Sequence, residues 1–266
     1  MKKDAKNRQT YKQFQSHQKK RSFSDKSKSS DYAIGIHPVE EAIKGGRTIN
    51  KIMVAKGKRS KRIHDIIVLA KERRLFIQEV DSRALDRLSD AGNHQGVVAY
   101  LSPYDYYPFD DMAFADNSLV LALNDLTDVH NFGSILRTCE AVGVAYVIIP
   151  ERRSVQVNAT VTKTSAGAVE HVKIVRVKSL GNALNALKEQ GFWVIGADMN
   201  GDKAYDAIDY SGKKVIVMGA EDKGLSPHIV RLCDYLTHIP MHGKVNSLNV
   251  SVATSLLLYE WRRQQK

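Results

Sequence analysis

Residues 214–227 read Lys-Val-Ile-Val-Met-Gly-Ala-Glu-Asp-Lys-Gly-Leu-Ser-Pro. The apolar run predicts a strand over 214–219 buried on both faces, as strands of parallel sheets are. Gly219 permits close backbone approach or a positive φ where that strand ends. Ser226 followed by Pro227 has the order of a helix N-cap and a first helical residue. A plain strand–turn–helix connection accounts for Gly224, Ser226 and Pro227. It does not account for Glu221, an acidic residue at the mouth of a buried strand.

Working outward, strand and helix patterns alternate from Ser118 onward. Strands are predicted at 119–124, 145–149, 172–177, 193–198 and 235–239, and helices at 132–142, 180–190, 226–233 and 249–263. Alternation of this kind means an α/β fold with a mostly parallel sheet covered on both faces. Ligands in such sheets bind beyond the carboxyl ends of the strands, so the polar residues after 124, 219 and 239 are the ones to inspect. Upstream, a helix at 39–44, a strand at 51–55, a helix at 61–73, a strand at 75–80, a helix at 82–88 and a strand at 96–101 describe a smaller α/β domain over 31–102. Residues 103–117 break the periodicity with two prolines and several aspartates. They predict a linker, with aromatic side chains able to dock on either domain.

Charge is unevenly placed. Residues 1–30 carry ten Lys/Arg against two Asp, whereas the remainder carries thirty basic and twenty-seven acidic residues. The basic character therefore belongs to a tail over 1–30, too poor in apolar side chains to offset its ordering entropy and so expected to be disordered. Such a tail suits an electrostatic arm for phosphate backbones as well as it suits a solubilising segment. No secretory signal and no membrane span are legible. Two cysteines, Cys139 and Cys233, make neither a disulfide framework nor a metal cluster, which fits a soluble cytoplasmic protein.

Two further segments share the strand-end position of 219–226. The first is Asn124-Asp125-Leu126-Thr127-Asp128-Val129-His130-Asn131-Phe132-Gly133-Ser134-Ile135-Leu136-Arg137. Asn131 stands where a helix N-cap is expected, and capping is its ordinary explanation. Arg137 follows in an otherwise apolar stretch; a lone Arg there is usually just solvated, but aimed at the loop it offers a guanidinium fork for a phosphate. The other segment is Ile239-Pro240-Met241-His242-Gly243-Lys244-Val245-Asn246-Ser247-Leu248-Asn249-Val250-Ser251-Val252-Ala253. Asn246, Ser247 and Asn249 crowd the start of a long amphipathic helix, and three polar residues exceed what one cap requires. His130 and His242 lie in the same loops and are the kind of His more often found simply on a surface. The chain lacks G-x-x-x-x-G-K-[ST], lacks G-x-G-x-x-G after its first strand, lacks a G-x-S-x-G elbow and lacks His at metal-ligand spacing, so P-loop, ordinary Rossmann, serine-hydrolase and metal chemistry are unsupported.

In order, the three segments resemble the three signature motifs of the SpoU family in the SPOUT methyltransferase superfamily. Asn131, Gly133 and Arg137 are similar to its first motif. Gly219, Glu221, Gly224, Leu225 and Ser226 match its Gly-x-Glu-x-x-Gly-Leu-Ser pattern. The Ile-Pro-Met run with Asn-Ser-Leu-Asn-Val-Ser-Val-Ala matches the third. Val129 departs from a Pro common in the first motif and removes no reactive group. Upstream, Ile34–Ala42 and Asn93–Ala99 are similar to the ends of the family's L30e-like RNA substrate-binding domain, which points to the branch acting on guanosine of 23S rRNA. The resemblance implies a C-terminal trefoil-knot domain over 118–266, a homodimer whose subunits both contribute to each site, and S-adenosylmethionine (AdoMet) as cofactor near Gly219, Gly224, Ile239, Met241 and Leu248. It also implies catalytic roles for Asn131, Arg137, Glu221, Ser247 and Asn249, with no metal and no membrane partner. A tRNA or another rRNA site is the neighbouring alternative, and a non-catalytic RNA-binding protein the alternative of a different class.

Overall fold

The computed structural model describes residues 31–57, 60–89, 93–220 and 223–265. The basic tail expected over 1–30 and the carboxylate of Glu221 lie outside them.

The first sheet has four strands: β1 (Asp31–Ile34), β2 (Ile49–Ala55), β3 (Ile77–Val80) and β4 (Val97–Leu101). They lie in the order β1-β4-β2-β3, with β2 and β3 parallel and β4 antiparallel to both its neighbours. Helices α1 (Ile36–Lys44) and α2 (Lys61–Glu72) cover one face, and α3 (Ser82–Leu88) the other. The period-2 rule of a pleated strand explains the split. Ile52 and Val54 enter the core under α1 and α2, while Met53 between them meets Leu85 of α3.

The second sheet has seven strands, all paired in parallel: β5 (Leu119–Leu123), β6 (Tyr146–Pro150), β7 (Lys173–Val177), β8 (Trp193–Ala197), β9 (Lys203–Ala204), β10 (Lys214–Met218) and β11 (Tyr235–His238). Their order is β7-β6-β5-β10-β8-β11-β9. Every residue of β5 and of β10 is buried, because each face has its own helices. Leu119, Leu121, Leu123, Ile216 and Met218 meet α4 (Val129–Val142) and α8 (Val250–Gln264). Val120, Ala122, Val215 and Val217 meet α6 (Leu180–Glu189) and the short α7 (Pro227–Val230).

The helix predicted at 226–233 is only Pro227–Val230, capped as expected by Ser226, whose side chain accepts from the Ile229 N–H. Helix α4 starts three residues earlier than predicted. Its N-cap is Asp128, whose carboxylate accepts from the Asn131 N–H at 2.7 Å, so Asn131 is not the cap but a residue of the first turn. A helix absent from the sequence reading, α5 (Ala159–Thr164), packs on α4. Gly133 makes this approach possible: a Cβ there would lie 1.8 Å from Thr164 Oγ1.

The aromatic residues of 103–117 dock on the second sheet. Tyr104 donates to the carbonyls of Val169 and Val172, Tyr106 accepts from the Val157 N–H, and Tyr107 bridges to Val175 beside β7. Arg47, just after α1, then reaches across to Glu170 at 3.0 Å, with both side chains almost fully buried and the guanidinium over the Tyr104 ring. Burial pushes the Glu170 carboxyl above its ordinary range, and the Arg47 guanidinium pulls it back. Stranding one partner of such a pair costs about 3–5 kcal/mol, and Arg47→Met is expected to lower stability by that order at neutral pH. The sign with pH follows from linkage. Glu170 in that variant has a folded pKa raised still further above its unfolded value, so the loss is small at acid pH, where the carboxyl is protonated in both states. The loss grows as pH rises from the ordinary carboxyl range through the raised pKa. Thermal unfolding of both proteins across a pH series checks it; a pH-independent difference would contradict the assignment.

Candidate functional site

Because every strand of the second sheet runs the same way, their carboxyl ends share one edge. Adjacent strands β5, β10, β8 and β11 therefore deliver the loops 124–128, 219–226, 198–202 and 239–249 to one place. Between the last three lies a cleft of about 770 Å³. Gly219, Gly224, Ile239, Met241 and Leu248, the five residues expected at a cofactor, all line it, as does Ser247. Asn249 follows at the start of α8.

The glycines have separate reasons. The loop after β10 closes on itself through reciprocal backbone bonds between Ala220 and Gly224, at 3.1 and 2.9 Å. Gly224 takes a positive φ of 62° to do so. Gly219 is needed for closeness instead, since a Cβ there would stand 2.2 Å from the Gly224 carbonyl carbon. The cradle thus brings bare backbone to the wall of the cleft. Opposite it, residues 241–248 make no hydrogen bond among the described residues. The loop is exposed over 242–248, so its N–H and C=O groups are within reach of a ligand in the cleft as well as of water.

Asn131 and Asn249 come together across 118 residues of chain: Asn249 Nδ2 donates to Asn131 Oδ1 at 3.0 Å. Asn249 is also the N-cap of α8, accepting from the Ser251 N–H at 2.9 Å. One residue therefore fixes the start of α8 and ties the first segment to the third. Further along, Thr138 and Ser255 share a hydrogen bond at 3.0 Å that keeps α4 and α8 in register. Arg137 stands exposed on α4 with no ion pair among the described residues, and it does not line the cleft. Ser134, one turn earlier, is also exposed.

Asp198 and Asn200, after β8, line the cleft and were not singled out in the sequence. The Asp198 carboxylate turns its loop by accepting from the Asn200 N–H at 2.9 Å. The strand-end rule that picked the other loops applied to them as well. His130 and His242 are exposed, and neither lines the cleft. Neither cysteine is a thiolate candidate: burial raises the Cys139 thiol far above its ordinary value and the Cys233 thiol to about 11. No group of three or more His, Cys, Asp or Glu among the described residues is placed to hold a metal ion.

The cleft suits AdoMet. Its volume is in the range of ligand sites for molecules of that size. Met218, Ile239, Leu248, Val250 and Leu257 give an apolar wall for a purine, and the glycine cradle with the open loop 241–248 gives backbone donors and acceptors for its edges.

Comparison with known proteins agrees with this arrangement. The SpoU rRNA methylase family model matches residues 118–259, and a model described as RNA 2'-O ribose methyltransferase substrate binding matches residues 32–107. A Staphylococcus haemolyticus protein named for the TrmH family of tRNA/rRNA methyltransferases is 45% identical over 237 residues, covering 87% of this chain and 95% of its own. An AdoMet-bound rRNA methyltransferase from Sinorhizobium meliloti superposes with a TM-score of 0.78 at 25% identity, over 90% of this chain and 88% of that one. A TrmH/SpoU tRNA-modifying enzyme from A. aeolicus is 36% identical, with a TM-score of 0.51 over 57% of this chain and 76% of that one. One of these relatives is named for rRNA and the other for tRNA, and AdoMet is the cofactor of the family. The chain belongs to the SpoU/TrmH family of RNA methyltransferases.

Proposed function

We propose that this methyltransferase acts on the ribose 2'-oxygen of RNA, and on a guanosine of 23S rRNA in particular. The observation that carries the reading is the meeting of three loops at one sheet edge, with Asn131 bonded to Asn249 beside the glycine cradle. The substrate-binding module over 32–107 supports an RNA partner with structure beyond the target nucleotide.

When bound, AdoMet supplies an activated methyl on a sulfonium. The chain's own work is positional. The cradle at Gly219 and Gly224 and the loop 241–248 hold the cofactor's edges in the cleft. Asn131 and Asn249, locked to each other, present fixed amide groups to the incoming ribose. Ser247, on the cleft wall, adds a hydroxyl that can donate or accept. Aligning two reactants in this way lowers a barrier by roughly 7–11 kcal/mol when the geometry is right. Arg137 orients the target by its phosphate or 2'-OH and stabilises developing negative charge, since a guanidinium keeps its proton in proteins and is poorly suited to act as a base. Glu221 completes the second segment's contribution.

The protein acts as a cytoplasmic homodimer in this reading. Val252 and Tyr259, two helical turns apart on α8, are 49% and 57% exposed, and Val245 and Leu248 continue the apolar surface to the cleft. A second copy laid on α8 covers that stripe and reaches the cleft mouth. Sedimentation is expected to give twice the chain mass at micromolar concentration, and a monomer would remove the second subunit from the site. For the substrate, mapping of rRNA and tRNA ribose methylation in a deletion strain is expected to show one lost 2'-O-methylguanosine in 23S rRNA. A loss confined to tRNA or to another rRNA would move the substrate without changing the chemistry.

A further inference from the structure

Next to the cofactor cleft is another cavity, of about 450 Å³, walled by the loop after β5, by Arg153 after β6, and by residues 223–227. The two cavities share Ala220, Lys223 and Gly224, so whatever occupies one lies beside whatever occupies the other. The small cavity holds two cations, Arg153 and Lys223, and one carboxylate, Asp125, among its described lining residues. Asp125 forms no ion pair with either cation, and neither cation has a hydrogen bond to any described residue. Arg153 and Lys223 are exposed at the mouth of this cavity with no bonded counter-charge among the described residues, an arrangement that can receive an anion.

Arg153 is also held in an unusual backbone state. Its φ is 55°, a left-handed conformation that residues other than glycine adopt rarely. The state is imposed from both sides. The Glu151 N–H donates to the Val177 carbonyl at 2.9 Å, and the Val155 N–H to the Leu126 carbonyl at 2.7 Å, with Val155 itself buried. Asp125, on the facing wall, has a φ of 58°. Two left-handed residues other than glycine therefore line one cavity, and no described side-chain contact of Arg153 compensates for its strain. Strain retained in this way is a pointer to a site.

We propose that this cavity holds a backbone phosphate of the substrate RNA next to the methylated nucleotide, gripped by Arg153 with Lys223. The inference rests on the reading of the chain as an RNA ribose methyltransferase. It adds a site that adjoins the cofactor cleft through Ala220, Lys223 and Gly224. Arg153 is a positioning residue here: its guanidinium fork matches a phosphate in two places, and it does not touch the transferred methyl.

The test uses the full-length protein, a 23S rRNA transcript and a salt series. Arg153→Gln is expected to weaken RNA binding and to reduce the slope of log affinity against log salt by about 0.7–0.9, the contribution of one phosphate contact. KM for RNA should rise with kcat little changed, and calorimetric AdoMet affinity should match the wild type. Arg153→Lys should restore part of the RNA affinity. Arg153→Gly guards against a merely structural effect, because glycine accepts the left-handed backbone while removing the cation; it should unfold no earlier than the wild type and still bind RNA weakly. If the wild type binds the transcript and transfers methyl while both the Gln and the Gly variants keep its affinity and salt slope, the phosphate site is wrong and the enzyme reading stands. If the wild type neither binds the transcript nor transfers methyl, both fall together.

Discussion

Arg137→Ala is expected to leave AdoMet affinity near the wild-type value while lowering turnover on the order of 10²–10³-fold, the loss seen when one preorganised charge-stabilising donor is removed. Arg137 does not line the cofactor cleft, so its removal takes nothing from the ground-state grip on AdoMet. The proposed role puts it on the substrate side. It lies six residues beyond Asn131, about 9 Å along the helix axis, and helical side chains lean back toward the N-terminus. A long guanidinium can thus return toward the loop where Asn131 meets Asn249. Helix α4 cannot drift, being anchored by the Asn131–Asn249 and Thr138–Ser255 bonds. The variant should show a fall in kcat with little change in AdoMet binding by calorimetry. Wild-type turnover in Arg137→Ala would remove this residue from the site.

Gly219→Ala is expected to act on the opposite partner. The added Cβ would stand 2.2 Å from the Gly224 carbonyl carbon and 2.6 Å from the Leu225 nitrogen, both backbone atoms. The Ala220–Gly224 bonds therefore have to open or the strand end has to move. Overpacking of this kind costs roughly 1–3 kcal/mol, which as lost AdoMet affinity is about 5- to 150-fold. RNA affinity, carried by other surfaces, should hold. Calorimetry with AdoMet and filter binding with RNA separate the two effects, and unchanged AdoMet affinity would show that the cradle is not the cofactor wall.

Much of this architecture is readable from residue types. β5 throughout and β10 after Lys214 are apolar runs because helices cover both faces of the sheet, and the helices can be seen from the spacing of Phe132, Ile135, Leu136 and Cys139. What is not readable depends on tertiary contact. Asp128 and Asn131 are both good N-cap residues, and only the packed geometry chooses Asp128 as the cap and brings Asn131 to Asn249. Helix α5 is short and rich in Thr, a poor helix former; the fit of Gly133 against Thr164 holds it in place, and no local pattern announces that fit. The site is legible as three polar segments at strand ends. Their meeting depends on β10 lying between β5 and β8, an order that the linear sequence does not display. The left-handed backbone of Arg153 is likewise invisible in its residue type, since Arg seldom takes it.

We propose that the chain transfers a methyl group to a ribose 2'-oxygen of 23S rRNA. Incubating the purified protein with methyl-labelled AdoMet and a 23S rRNA transcript, then digesting to nucleosides and separating them by mass, tests it most directly. Label is expected in 2'-O-methylguanosine, at one position per transcript, and accumulating far more slowly with Arg137→Ala. Label in a base-methylated nucleoside, or no label on RNA despite AdoMet binding, would contradict it.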